Sequence, residues 1–296
     1  MFAVSVAGSG DMIRFPIPGS TDFDVVVPAP ALGAGNWVGA SSAALDDDGG
    51  FVIAYRIRTA DQRGSRILIA RSRDGVRLTT VGHLAKERFG AESLERPAIV
   101  RTETGRWRLY VSCATPGSKH WRIDAVEADD PAGLQNAHSR TVFAGDESVG
   151  VKDPVIQREG SQWRAWICCH PLDISGEEDR MYTRYATSDD GLTWTWGATA
   201  LAGRAGSWDA RGARVTAVLP DGRASYDGRA TNEENFSERT GLATPTRPNT
   251  WDASDSGPIS SARYLDVVPL PAGGYRIYYE APLPDGSHEL RTELVT

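Results

Sequence analysis

The sequence predicts an all-β chain folded as a five-bladed β-propeller, and three observations carry that prediction. A polar-Gly turn recurs at Gly50, Gly105, Gly160, Gly222 and Gly273, spaced by 55, 55, 62 and 51 residues. An aromatic follows within three residues in four of the copies, as Phe51, Trp107, Trp163 and Tyr275. Around each turn run short segments that alternate apolar and polar residues and favour β-branched and aromatic types, with no long stretch of helical period. Such a period is too long for one hairpin and suits a four-stranded antiparallel blade with its connections.

The blades follow in order. In the first, WVGASSAAL (37–45), FVIAYRIR (51–58), RILIARS (66–72) and RLTTVGHL (77–84) read as four successive strands. The second carries RPAIVRT (96–102), RWRLYVSC (106–113) and WRIDAVEAD (121–129). The third carries DPVIQR (153–158), QWRAWICC (162–169), MYTRYATS (181–188) and LTWTW (192–196). The fourth is less regular, with ARVTAVL (213–219), RASYDGRA (223–230), a polar insertion TNEENFSE (231–238) and RTGLAT (239–244). The fifth has YLDVVPL (264–270), YRIYYEA (275–281) and HELRTELV (288–295) and lacks a fourth strand. The N-terminal DMIRFPI (11–17) is expected to supply it, closing the ring and protecting an open edge. The repeats fill the chain, so 1–296 is expected to form a single domain.

Composition bounds the partners. A net charge of −7 gives no basic footprint for nucleic acid. No apolar run approaches the roughly 18 residues that span a membrane. The first residues lack a basic segment and a convincing signal-peptide core. Three cysteines, Cys113, Cys168 and Cys169, make an odd number with two adjacent, which points to a reducing, cytoplasmic setting. Nine Trp and nine Tyr serve blade packing and equally serve stacking on sugar rings.

Two turns share the pattern S-x-D-G, Ser72-Arg73-Asp74-Gly75 and Ser188-Asp189-Asp190-Gly191, the second continuing to Thr193 and Trp194. Asp accepts backbone N–H groups in a tight turn, and Gly takes the positive φ. These residues are read as structural.

The Ser188–Trp194 turn, the strand openings Glu95-Arg96-Pro97 and Lys152-Asp153-Pro154, the set Gly105, Trp107 and Tyr110, and Tyr278-Tyr279-Glu280-Ala281 together resemble the five-bladed propeller glycosidases. Glycoside hydrolase family 43 and its relatives, including family 130 and the fructosidase-like enzymes, are the match. Six-bladed sialidases suit five repeats less well. The resemblance implies a carbohydrate-active enzyme, in kind a glycoside hydrolase, with its chemistry in a central funnel and a small molecule or oligosaccharide as substrate. It implies no cofactor, beyond a structural Ca²⁺ as one option for the channel.

In that topology the starts of first strands and the ends of second strands meet at the funnel mouth. Asp153 is the leading catalytic candidate, because Lys-Asp-Pro resembles the family's Asp-Pro motif, and Glu95, Asp209 and Glu280 compete for the acid and base roles. Glycoside hydrolysis needs two such carboxyl groups flanking the scissile bond. The substrate-binding candidates are Arg56, Arg96, Lys152, His170, Trp208, Arg211, Tyr226, Arg263 and Tyr279. The family's catalytic base lies on the first strand of the first blade, whereas Asn36–Ser41 here holds no carboxylate. The cations suit an anionic sugar, since guanidinium forks read oxyanions bidentately; a self-paired network with the neighbouring carboxylates is the alternative. No metal-ligand spacing surrounds His170. A lyase or biosynthetic enzyme, and a non-catalytic sugar-binding propeller, stay open beside hydrolysis.

Overall fold

The computed structural model describes residues 15–296. Its strands are β1 (Asp24–Val27), β2 (Trp37–Leu45), β3 (Phe51–Arg58), β4 (Arg66–Ser72), β5 (Thr79–Ala85), β6 (Leu94–Arg101), β7 (Trp107–Ala114), β8 (Trp121–Ala128), β9 (Arg140–Phe143) and β10 (Val149–Glu159). They continue with β11 (Gln162–Pro171), β12 (Tyr182–Ser188), β13 (Thr195–Ala202), β14 (Gly212–Val218), β15 (Ala224–Arg229), β16 (Arg239–Arg247), β17 (Thr250–Ala253), β18 (Arg263–Pro269), β19 (Tyr275–Pro282) and β20 (His288–Val295).

Three sheets are four-stranded antiparallel meanders: β6 to β9, β10 to β13, and β14 to β17. An eight-stranded sheet holds the rest. It consists of two antiparallel halves, β2 to β5 and β18-β19-β20-β1, joined by one parallel pair, Trp37 with His288. The first strands pack in sequence, β2 on β6, β6 on β10, β10 on β14 and β14 on β18, and β18 packs back on β2.

Alternation explains why these strands are buried on both faces. In β3, Val52 and Ala54 join a core with Ile99, Trp107 and Leu109 of the following sheet. Phe51, Ile53 and Tyr55, pointing the other way, join Val268, Tyr278 and Leu290. Three further cores fill the remaining junctions: around Trp163, around Trp166 with Trp251, and around Leu265 with Tyr275.

The edge on β20 is covered by β1, not by the expected segment at 11–17. Residues 11–14 of that expectation lie outside the described residues. Residues 15–17 form no strand, and Phe15 is buried in the core beside Leu219 and Tyr275. The physical reason lies in Pro16 and Pro18, which have no N–H to give a ladder, whereas Asp24–Val27 is a β-branched run.

Both S-x-D-G turns form as expected. Asp74 Oδ1 accepts the N–H groups of Val76 and Arg77, Asp190 Oδ1 those of Leu192 and Thr193, and Gly75 and Gly191 take positive φ. Each turn is gripped by the neighbouring sheet. Tyr278 donates to the Gly75 carbonyl at 2.9 Å and Tyr110 to the Gly191 carbonyl at 2.6 Å. Arg276 and Arg108 donate beside them to Asp74 and Asp190 carbonyls.

Candidate functional site

The inner strands are irregular where they begin. Pairing shifts at Gly39/Ser42 in β2, Glu95/Pro97 in β6, Lys152/Val155 in β10, Val215/Ala217 in β14 and Arg263/Asp266 in β18. Bulges of this kind re-aim side chains. Ala40, Asp153 and Tyr264 occupy three of them with φ of 48°, 51° and 51°. A bulky aromatic in that region costs about 1–3 kcal/mol and needs firm anchoring. Tyr264 has it: its N–H donates to Asp227 Oδ2 at 3.0 Å, and its hydroxyl accepts from Arg214 at 3.0 Å.

Around these bulges runs a buried network of charges. Arg214 donates to Asp153 Oδ2 at 2.8 Å and to Asp227 Oδ2 at 2.7 Å, with its guanidinium 4.0 Å over the Tyr264 ring. Arg56 donates to Glu95 at 3.0 Å and to Glu280 at 2.6 Å. Glu280 also takes His288 Nδ1 at 2.7 Å and lies 3.5 Å from Arg263. Glu238 sits between Arg229 and Arg263, and Asp179 holds Arg211 through both oxygens.

The electrostatics follow from this pairing. Burial alone would raise the carboxyl pKa of Glu238, but Arg263, Arg214 and Arg229 hold it down to about 2. Glu280 is likewise buried, and Arg56, Arg263 and His288 keep it well below the usual carboxylate range. Asp153 is lowered against its burial by Lys152 and Arg214. All three stay ionised. His170 is pushed down to about 3, by burial first and then by Lys152. Its Nδ1 faces the Glu178 carbonyl, which can only accept, so Nδ1 carries the proton and Nε2 faces Cys168 Sγ.

Above the network opens a cavity of about 520 Å³. Of the residues expected to form a site, Arg56, Glu95, Lys152, His170 and Arg263 line it. Asp153 and Glu280 lie behind its wall, fully buried. Arg211 stays outside the lining, on Asp179. Trp208, Asp209 and Tyr226 form a separate cluster, Trp208 stacked on Tyr226 and Asp209 bonded to Tyr226 and Arg204. Tyr279 is bonded to Glu293, away from the cavity. Arg96 faces a different cavity of about 280 Å³ with Asp266, where burial raises the Asp266 carboxyl to about 6. The insertion in the fourth sheet reaches the lining through Asn232, Asn235, Phe236 and Glu238.

Other lining residues escaped the sequence reading: Arg63, Lys119, Trp121, Glu178, Asp179, Met181 and Arg214. Most belong to connections between second and third strands. Those connections leave from the same end at which second strands finish, so the topology that located Arg56 also pointed to them. Among the described residues no group of three His, Cys, Asp or Glu side chains is arranged to hold a metal ion, and all three cysteines are free and buried. No helix among them is long and apolar enough to cross a membrane.

No family model matches the sequence, and no curated protein matches it. Solved structures do. A thermostable family-43 glycoside hydrolase aligns with TM-score 0.65 at 15% identity, over 90% of this chain and 91% of its own. An α-L-arabinofuranosidase from Lactobacillus brevis aligns with TM-score 0.63 at 14% identity, over 87% and 90%. A structure from work on the GH130 family of mannoside phosphorylases and its hydrolases of β-1,2 mannosidic linkages in Candida mannan aligns with TM-score 0.61 at 14% identity, over 95% and 96%. At such identities the likeness is one of fold. The chain shares the propeller fold of glycosidases.

Proposed function

We propose that this chain is one five-bladed β-propeller domain, its ring closed by β1 on the last blade, and that it acts on a glycosidic bond in the cavity at the funnel mouth. The observation that carries the reading is Glu95. It lines the cavity, its Oε2 is fixed by Arg56, and its Oε1 has no hydrogen-bond partner among the described residues. A carboxylate fixed by an arginine with one oxygen free toward a cavity suits the base or nucleophile of glycoside chemistry. Trp121 and Phe236 in the same wall offer ring surface for a sugar. Asp153 acts as a positioning residue through Arg214 and Tyr264. Because Glu238 and Asp153 are held ionised, a leaving group that needs no proton is the best first substrate.

The test is a screen of nitrophenyl glycosides, neutral and acidic, with Glu95→Gln and Asp153→Asn beside the wild type. Glu95→Gln should lower kcat by about 10²–10⁴-fold while the variant stays folded. Turnover that survives Glu95→Gln would sink the assignment. A second reading, a sugar-binding propeller without turnover, is favoured by one observation: Glu95, Asp179 and Glu238 in the wall and Asp153, Asp227 and Glu280 behind it are all ion-paired. It predicts sugar binding with no hydrolysis of any glycoside in the screen.

A further inference from the structure

The cavity carries more positive charge than its own carboxylates cancel. Eight Lys and Arg line it against four Asp and Glu, in a chain whose net charge is −7. Much of the excess is absorbed from behind, where Asp153, Asp227 and Glu280 pair with Arg214, Arg56 and Arg263. Arg229 is taken by Glu238 and Asp179. After these pairings Arg58, Arg63 and Lys119 have no carboxylate within ion-pair distance among the described residues. Lys152 lies over the Trp121 ring and has Asp153, at 3.6 Å, as its one ion-pair partner among the described residues. Glu178, the rim carboxylate in the field of Lys119, is engaged by the Gly176 N–H.

Arg58 is the most constrained of the three. Its guanidinium lies 4.5 Å over the Trp37 ring and 5.0 Å over Phe236, and its Nε is buried without a partner. Burial disfavours its charge, Glu95 attracts it without reaching ion-pair distance, and Arg56, Arg63 and Arg263 repel it. An incoming oxyanion would give the guanidinium the direct partner it lacks. Two aromatic faces fix the plane of the fork in advance, so little side-chain entropy is lost when it binds.

We propose that the sugar bound in this cavity bears an anionic oxyanion substituent, a carboxylate, phosphate or sulfate, received by Arg58 with Lys119 and Arg63 at the rim. The inference rests on the carbohydrate reading above and adds the class of sugar. A neutral sugar would leave the half-buried Arg58 without an ionic partner, whereas an oxyanion gives it a charge-assisted bond.

Titration calorimetry with the full chain tests this, using glucuronate, glucose 6-phosphate, glucose 6-sulfate, glucose and inorganic sulfate as probes. At least one acidic sugar should bind about tenfold or more tighter than glucose, as expected for a charge-assisted bond. Arg58→Gln and Lys119→Gln should each erode that preference for an acidic sugar over glucose, with urea midpoints showing that both variants fold. The best acidic probe tells carboxylate from phosphate and sulfate. Glucose binding as tightly as every acidic sugar would overturn the proposal and leave the carbohydrate reading standing. Inorganic sulfate binding through Arg58 with no sugar bound would keep the anion receptor and remove the carbohydrate reading. Binding of neither sulfate nor any acidic sugar would overturn the proposal outright.

Discussion

The turns at the periphery and the network at the funnel use the same side chains for opposite ends. At the turns, Arg and Tyr donate to backbone carbonyls: Arg276 and Tyr278 to Asp74 and Gly75, Arg108 and Tyr110 to Asp190 and Gly191. Trp166 repeats the gesture toward the Asn249 carbonyl at 3.3 Å. At the funnel, Arg214 and Arg56 bond to carboxylates brought from other sheets, Asp153 and Glu95. A backbone acceptor exists in every blade, so the outer contacts recur with the repeat. A carboxylate partner must be encoded separately each time, so the inner contacts do not. The periphery holds neighbouring sheets together, and the funnel is where one sheet can differ from the next.

The largest expected effect comes from breaking the funnel network. Arg214→Met strands Asp153 and Asp227 as buried charges without their cation and should destabilise the protein by about 3–5 kcal/mol. Urea unfolding at pH 7 measures it. Adding Asp153→Asn and Asp227→Asn should recover much of the loss, and a triple variant no more stable than Arg214→Met would break the account of the network as charge balance.

Acid is the next lever. His170 is held at about 3 from an ordinary 6.5, so its contribution is whole above pH 6.5 and is lost as pH falls toward 3. Glu238, at about 2 from 4.5, acts in the same direction lower down, below pH 4.5. Asp266 is raised to about 6 from 3.8, so its contribution is whole below pH 3.8 and is lost as pH rises through 6. Between pH 6 and 4 the funnel histidine and the carboxylate at the other cavity therefore oppose each other. Asp266→Asn should make the urea midpoint fall more steeply over that window than in the wild type, and an unchanged slope would refute the assignment.

A smaller effect belongs to the periphery. Tyr110→Phe leaves the Gly191 carbonyl without its buried donor and should cost about 1–2 kcal/mol by urea unfolding. A loss as large as that of Arg214→Met would erase the contrast between the two regions. Smallest is Arg77→Ala, which removes an exposed pair with Asp74 and should leave the unfolding midpoint unchanged within error.

The strands were legible because their signal is local. Turn glycines, alternation and aromatic spacing placed β3, β7, β11 and β19 within a residue or so of where they lie. The edge of β20 takes Asp24–Val27 and not the expected segment at 11–17, because Pro16 and Pro18 bring no N–H to a ladder. In the site, Glu95, Lys152, Arg56, His170 and Arg263 were found because topology sends strand ends to one mouth. Asp209, Trp208 and Tyr226 satisfied the same positional rule and turned instead to one another. Side-chain direction at a strand end depends on the bulge there, and a bulge is set by contacts with the next blade. Lys119 sits in a connection whose length and polarity mark it only as a loop, and Trp121 opens the strand that follows it.

By itself the sequence determined an all-β chain of repeated antiparallel meanders, the turns that punctuate it and the residue types gathered near strand ends. These depend on periodicity and turn chemistry within a few residues. The tertiary structure alone decided which carboxylates are spent on arginines, that Tyr264 and Asp153 stand in left-handed bulges, and that Arg58 is left unpaired over two aromatic rings. These depend on groups far apart in sequence, such as Asp153 with Arg214 and Arg58 with Phe236, and the free energy of a buried charge is fixed by the partners that surround it in space.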